Sequence, residues 1–590
     1  MNEKAESVAV QADGKKVKNK GLWRKFFHLV RLAKIPWIGI AVYFCINLSV
    51  VYVAVRMPQV ESDIYTGNVS VANVAWVIAV ELISGILVSV MMAAYGIIGG
   101  RIDRNFRDAI WNKILRMEPK YFDEISPNTL LSRMTDDAES MKDFILLIIS
   151  ELTGITTTVA TIAAMSTMNK GLAVVMAVFI PVITLFGFLI GRLRMKFGNT
   201  VKFQMAQLTD YLCGQLARIT VIKSFNREAY ETARGEKEIQ DYYIAERKAK
   251  IAEFLHYTIA SILHIIPDVT LILAGIYMLE SGTITPAGWI IFFAYANQIM
   301  SFFTEKIQTW VSVKQYQGHM NRLTELFAAP EEDTQNYTVE TVEAGDIIFE
   351  DVSFSYGENP IMEHASFTFP QNQFTVIVGP SGTGKTTILK LVERIYEPDE
   401  GSILLNGHKI SDYKITNWRR KFAYVKQDTP MISGTIRDNV LYGVEREVSD
   451  EEIMEAAKML RADTLIKNCP GELSYDVGQF GEKLSGGQKQ KLSVLRAFLQ
   501  DRDYILLDEP TVSLDAVAAM DVMESIRQLI GRRTVILVSH DNRLVGDANH
   551  LIVVENHTKI VEGSVEEVKK SSEFFREMSE CKAKEEACNG

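Results

Sequence analysis

Residues 374–392 read FTVIVGPSGTGKTTILKLV. An apolar run, FTVIV, fits a β-strand, a glycine-rich turn follows, and KTTILKLV opens a helix. Gly379, Gly384, Lys385 and Thr386 match GxxxxGK[ST] between a strand and a helix, which is the setting this motif requires. The glycines let backbone N–H groups close on phosphate oxygens. Lys385 reaches the β/γ oxygens, and Thr386 supplies a hydroxyl suited to Mg²⁺. The whole loop, Gly379, Pro380, Ser381, Gly382, Thr383, Gly384, Lys385, Thr386 and Thr387, is therefore a candidate ATP cradle.

Downstream, residues 503–510 read DYILLDEP. Four apolar residues form a buried strand ending in Asp508, placed to take Mg²⁺ through water. Glu509 follows, just beyond the metal, where a carboxylate can position and polarise an attacking water. Strand-like and helix-like runs alternate around both motifs, so this half reads as an α/β domain.

The first half is different. The chain has 590 residues, 47% of them hydrophobic, with a formal net charge of −10, and its mean hydropathy is barely above zero. Apolar residues crowd into six stretches near 36–57, 71–97, 145–168, 171–193, 255–279 and 285–305, each close to the roughly 20 residues a bilayer-crossing helix needs. Lys15, Lys16, Lys18, Lys20, Arg24 and Lys25 precede the first, placing the N-terminus inside. Six crossings return the chain to the inner side, where the α/β half must lie. Outer connections are short and inner ones long, charged and helix-like. Before the first span, KGLWRKFFHLVRLAK alternates basic and bulky apolar residues at helical spacing, which suits a helix in the inner interface.

The acidic balance argues against a nucleic-acid partner. Cys45, Cys213, Cys469, Cys581 and Cys588 form no CxxC pair, so they read as incidental thiols. The polar start has no apolar core with a cleavage site and does not look like a secretory signal. The expected organisation is a disordered basic segment at 1–20, a six-helix all-α transmembrane domain over 21–325, a linker over 326–345, a cytosolic α/β P-loop ATPase domain over 346–578 and a polar tail over 579–590.

LSGGQ, Leu484 to Gln488, stands between the two nucleotide motifs. With it the chain resembles an ATP-binding cassette exporter half-transporter over nearly its whole length. SGG opening a helix is physically a second phosphate cradle. The resemblance implies that two cassettes close head-to-tail, with Ser485, Gly486, Gly487 and Gln488 facing the nucleotide of the other subunit. It further implies that Tyr356 stacks on adenine, Gln427 joins Mg²⁺, Asp515 crosses the dimer and His540 touches the γ-phosphate. Catalysis then falls to Glu509, His540 and Lys385, and metal binding to Thr386, Gln427 and Asp508. Coupling regions fall near 120–140 and 205–230. A single cassette per chain implies a dimer, with a homodimer the simplest arrangement and a heterodimer the alternative. The expected setting is the bacterial cytoplasmic membrane.

Two positions depart from the family pattern: Gln479 replaces a usual glutamate in VGQFG, and Val512 replaces a common small residue. The resemblance implies ATP-driven export of a hydrophobic, amphipathic or cationic small molecule, lipid or peptide. Import of a siderophore-like substrate, or an ATP-gated channel or sensor, are alternatives on the same scaffold.

Charged and polar residues inside the apolar runs bear on the cargo. Asp268 follows Pro267 in HIIPDVTL, roughly 18 Å below the outer end of its span. Asn297 and Gln298 lie at a similar depth, and Glu81 roughly 15 Å below the outer end of the second span. These four define a candidate substrate cavity, since ionisable groups at such depth usually face a bundle interior or a wet cavity. The alternative is structural, with protonated carboxyls bonded to neighbouring helices.

Overall fold

The computed structural model describes residues 22–65, 70–332, 336–512, 514, 516–539, 542–555 and 560–579. The expected segment at 1–20 and the tail from 580, with Cys581 and Cys588, lie outside them. The chain divides into two compact units: one runs to Arg116 and resumes over Ile125–Ala329, and the other gathers Met117–Glu124 and the chain from Pro330 onward.

The first unit is helical. A short helix α1 (Leu22–Leu32) precedes six long ones: α2 (Trp37–Tyr65), α3 (Val71–Ile114), α4 (Ala138–Met168), α5 (Lys170–Ala217), α6 (Glu228–Glu280) and α7 (Pro286–Ala328). Four stretches among the described residues are long and apolar enough to cross a membrane: Trp37–Glu61, Val71–Ile114, Pro127–Met168 and Ala173–Ala217. The other two expected spans fall in α6 and α7, where Asp268, Asn297 and Gln298 interrupt the apolar tract. At 1.5 Å per residue, the 44 to 53 residues of α3, α5 and α6 reach roughly 65–80 Å, far beyond a ~30 Å hydrocarbon core. The long charged connections are thus continuations of the apolar helices. Between α3 and α4 the chain makes two short helices, Lys120–Glu124 and Pro127–Ser132, and a π-turn, Arg133–Asp137. Ile219–Ser224 is a short helix between α5 and α6.

Start signals are local. Thr285 accepts from the N–H of Gly288 and Pro286 opens α7, so the missing proline N–H is one the helix start leaves free anyway. Packing across helices uses both shape and polarity. A Cβ on Gly275 would fall 1.9 Å from the indole of Trp289, so α6 and α7 close here only around a glycine. Tyr295 donates from its hydroxyl to the carbonyl of Val55 at 2.6 Å, joining α7 to α2. Asp137 is fully buried and held by Arg133, His319 and Arg322, which ties the start of α4 to α7.

The second unit holds two sheets. The antiparallel one, in order β2-β1-β4-β5, comprises β1 (Ile347–Tyr356), β2 (Asn359–Phe369), β4 (Glu400–Leu405) and β5 (His408–Lys409). The other has the order β10-β9-β3-β8-β7-β6, from β3 (Phe374–Val378), β6 (Phe422–Val425), β7 (Tyr504–Asp508), β8 (Thr534–Val538), β9 (His550–Val554) and β10 (Ile560–Gly563). Five of its strands run parallel, and only β10 is antiparallel to its neighbour. Its faces are both buried, and the strand period of two sorts the side chains. Val376, Leu507 and Leu537 enter one core, while Ile377, Leu506 and Ile536 enter the other. Ile377 and Asp508 both pair with Val538, and this register brings three loops off the sheet at one level along its carboxyl edge.

Candidate nucleotide site

That edge collects the sequence motifs. Gly379 has φ 158° and a Cβ there would lie 2.2 Å from the carbonyl oxygen of Val554. Gly384 has φ 91°, and its Cβ would meet Ile361 at 2.4 Å. The loop therefore needs glycine at both places on grounds of space and conformation. It delivers the chain into helix α8 (Lys385–Val392). Lys385 is buried, and its Nζ donates to the carbonyls of Gly379 (3.0 Å) and Pro380 (2.8 Å). Burial pulls its ammonium below the usual lysine range, against the opposing pull of Glu509 and Asp508. Thr383 donates to the Pro380 carbonyl at 3.0 Å, bracing the loop from within. Ser381 and Gly382 are exposed and Thr387 is buried.

β7 ends with Asp508 facing the start of α8. Thr386 Oγ1 donates to Asp508 Oδ1 at 3.0 Å, and the Tyr424 hydroxyl donates to Oδ2 at 3.1 Å. Burial pushes the Asp508 carboxyl up, and these two hydrogen bonds oppose it. Tyr424 was not among the residues expected from sequence. Its signal is register: it pairs with Leu506 on β7, two residues before Asp508. Burial, and then the charge of Asp508, push its phenol up.

Glu509 is half-buried and takes φ 46°, a conformation uncommon for a residue with a side chain. Its N–H donates to the carbonyl of Val538 at 3.0 Å, fixing the turn off the sheet. Gln427 Nε2 donates to Glu509 Oε2 at 3.2 Å, so the glutamine after β6 meets the acid after β7. Strain of this kind clusters at working sites.

Tyr356 is half-buried beside α8, its hydroxyl 3.4 Å from Thr387 Oγ1 and its ring edge-on to Phe354 and Tyr396. Helix α9 (Gly486–Leu499) begins at the second expected cradle. Ser485 Oγ accepts from the N–H of Gln488 at 3.3 Å, and Gln488 Oε1 accepts from the N–H of Ser485 at 2.8 Å. Gln488 is thus committed to a capping box. Ser485 and Gly486 are exposed, and a Cβ on Gly487 would press on Ala518 at 3.1 Å. No hydrogen bond among the described residues joins Ser485–Gln488 to the loop at 379–387. Gln479 and Val512 are exposed. Asp515 and His540 lie outside the described residues.

The polar residues of the membrane half are less united. Gln298 accepts from Thr161 Oγ1 at 3.2 Å, joining α4 and α7. Asn297 donates to the carbonyl of Phe293 on its own helix at 3.2 Å. Asp268 is half-buried, in a helix that runs unbroken through Pro267. Glu81 is exposed on α3 of the single chain. Among the described residues no hydrogen bond joins Asp268 or Glu81 to each other or to the amides. A pair missed from sequence is Glu151 on α4 with Lys306 on α7, to which Thr309 Oγ1 adds a 2.9 Å hydrogen bond. Glu151 stands alone as an acid in its apolar run, the same signal that singled out Asp268.

Residues 45–303 match the model of the ABC transporter transmembrane region, and residues 362–512 match the ABC transporter model. A multidrug resistance ABC transporter ATP-binding and permease protein of Lactococcus lactis is 27% identical over 551 residues, 92% of this chain and 93% of that protein. An ATP-dependent lipid A-core flippase of Vibrio cholerae is 29% identical over 455 residues, 75% of this chain and 77% of that one. Among solved structures, a bacterial Atm1-family ABC exporter with ATP bound shares the fold with a TM-score of 0.78 at 20% identity, covering 94% of this chain and 98% of its own. A helical membrane domain and a nucleotide-binding α/β domain in one chain, each matched by its own model, make this an integral membrane protein of the ABC transporter family, an ATPase coupled to transport across the membrane.

Proposed function

We propose that the protein is an exporter working as a homodimer in a bacterial cytoplasmic membrane, with the N-terminus and the α/β domain in the cytoplasm. In this reading residues 21–325 form the membrane domain and 346–578 the cassette. The cargo class is a hydrophobic, amphipathic or cationic small molecule, lipid or peptide. The names of the Lactococcus and Vibrio relatives support that class, as does the carboxylate of Asp268 within an apolar run. The observation that carries the proposal is the convergence of the loop at 379–387, Asp508, Glu509 and Gln427 at one sheet edge.

Backbone N–H groups of the loop and the start of α8 bind phosphate oxygens. Lys385 exchanges its two loop carbonyls for phosphate oxygens, which restores its full charge stabilisation. Glu509, held by Gln427, orients a water and accepts its proton. Tyr356 offers a ring for the base. Among the described residues no group of three or more His, Cys, Asp or Glu is placed so that it could hold a metal ion. Thr386 Oγ1 against Asp508 Oδ1 is a sparse oxygen pair, to which the family resemblance adds Gln427. It fits Mg²⁺, which keeps waters and takes phosphate oxygens, rather than a metal needing a protein cage. Bound there, Mg²⁺ would neutralise phosphate charge. Ser485, Gly486 and Gly487 stand at a helix start and would complete the site of a second chain; Asp515 and His540 are assigned their roles by resemblance alone.

The test is ATPase activity of the purified protein in lipid vesicles, with a panel of cationic, lipid-like and peptide compounds. Stimulation by a compound that also accumulates inside inside-out vesicles supports export, and Glu509→Gln should abolish both. ATP-dependent ion current that survives Glu509→Gln, or accumulation in the opposite direction, overturns the proposal.

A further inference from the structure

The junction between α1 and α2 carries a feature that ATP-driven transport does not use. Phe26, Leu29 and Val30 are buried on the inward side of α1, and Phe26 meets Phe144 of α4 edge-on at 5.2 Å. Trp23, Phe27 and Leu32 are exposed on the same short helix. The turn after α1 places Lys34 at φ 47°, and Asn105 Nδ2 on α3 donates to its carbonyl at 2.9 Å. Ala33 and Ile35 on either side are buried, so this turn is anchored rather than loose. α2 then begins with Trp37 and Ile38, both largely exposed.

Between helix and turn lies a hollow of about 330 Å³ lined by Phe27, Val30, Arg31, Lys34, Ile35 and Trp37. Its chemistry is one-sided. Four of the six residues are apolar or aromatic, and the two charged ones are both cations. No carboxylate lines it. Neither Arg31 nor Lys34 has a side-chain hydrogen bond or ion pair among the described residues. Tryptophan and long basic side chains at this position match the boundary between hydrocarbon and headgroups. A ligand that satisfies both halves of the lining must be an anion carried on hydrocarbon.

We propose that this hollow binds an anionic phospholipid, its phosphate between Arg31 and Lys34 and its first acyl carbons against Phe27, Ile35 and Trp37. The leaflet, cytoplasmic, rests on the orientation proposed above; the lipid class does not. Two such sites would exist per dimer.

Native mass spectrometry of the purified full-length dimer, titrated with phosphatidylglycerol or with phosphatidylcholine of the same chains, tests this. Phosphatidylglycerol should be retained in preference, with up to two lipids per dimer lost in Arg31→Gln/Lys34→Gln and affinity weakened roughly thirtyfold. Equal retention by wild type and variant, or equal retention of the two lipids, overturns the proposal. So does inorganic phosphate alone displacing the lipid at millimolar concentration, which would mark a simple anion site. A second measurement leaves the cations in place. Brominated phosphatidylglycerol should quench tryptophan emission more than brominated phosphatidylcholine, and the excess should vanish in Trp37→Phe. Identical quenching by both lipids in the wild type refutes the site even where the double variant fails to fold. Basal ATPase should persist in these variants, so failure here is separable from failure of the exporter reading.

Discussion

The nucleotide edge and the membrane helices solve the same problem in opposite ways. Both must keep polar groups in poorly hydrated surroundings. At the sheet edge the partners come from neighbouring strands and the segments that leave them, set by strand register: Thr386 and Tyr424 on Asp508, Gln427 on Glu509. In the helical unit the partners come from residues far apart in sequence on separate helices: Glu151 with Lys306, Asp137 with His319 and Arg322, Thr161 with Gln298. The first arrangement exposes its groups to a ligand, and the second consumes them in packing. A polar residue in a buried place is thus a site only when its partners leave it something to do. Asp268 differs from Glu151 and Asp137 on this criterion, because no side chain among the described residues claims it.

The largest expected effect sharpens the nucleotide side. Glu509→Gln should lower ATP hydrolysis on the order of a thousandfold while ATP binding persists, read as phosphate release beside equilibrium nucleotide binding. Retained turnover would remove Glu509 from catalysis. On the packing side, Asp137→Ala removes a fully buried carboxylate from partners that still reach solvent, Arg322 among them, with an expected cost of about 1–3 kcal/mol. Thermal unfolding in detergent would show it, and a change under about 1 kcal/mol would mean the cluster is solvated after all.

Asp268→Asn should do the reverse of Asp137→Ala. Stability should stay within about 0.5 kcal/mol, while stimulation of ATPase by cationic compounds falls several-fold. If stability drops and stimulation survives, Asp268 belongs with the packing acids. The smallest effect concerns pH. Burial pushes Glu393, just past α8, up to about 7, with Lys426 and Arg419 pulling the other way. The folded chain holds that proton where the unfolded one has lost it. This residue's contribution is therefore complete below a normal glutamate value and is lost as pH rises through about 7. Glu393→Gln should raise Tm by about 2–4 °C at about pH 8 and leave it unchanged at about pH 4. An equal shift at both pH values would argue for a packing effect.

The nucleotide motifs were legible because each is contiguous. GPSGTGKT needs its glycines within one turn, and LLDE ends one strand, so spacing alone identifies them. The insertion of β8 between β3 and β7 was not legible, since strand order depends on how crossovers pack rather than on any local pattern. Tyr424 was missed for that reason: it matters only through its neighbour strand. Gln488 looked like part of a ligand cradle, and the motif gave no sign of the reciprocal capping bonds it makes with Ser485. The six long helices could be read from apolar length, and their extension past the membrane from the charged inner connections. Their pairing was hidden. Nothing near Glu151 in sequence points to Lys306, 155 residues away.

The reciprocal bonds between Ser485 and Gln488 have a mechanical corollary. The N–H groups of Ser485 and Gln488 are engaged in the single chain, while those of Gly486 and Gly487 between them take no hydrogen bond among the described residues. A phosphate presented by a second chain would meet those two glycine amides without breaking the cap. The cap would then act as a frame set before the ligand arrives, so little ordering of this helix start is left to be done on contact.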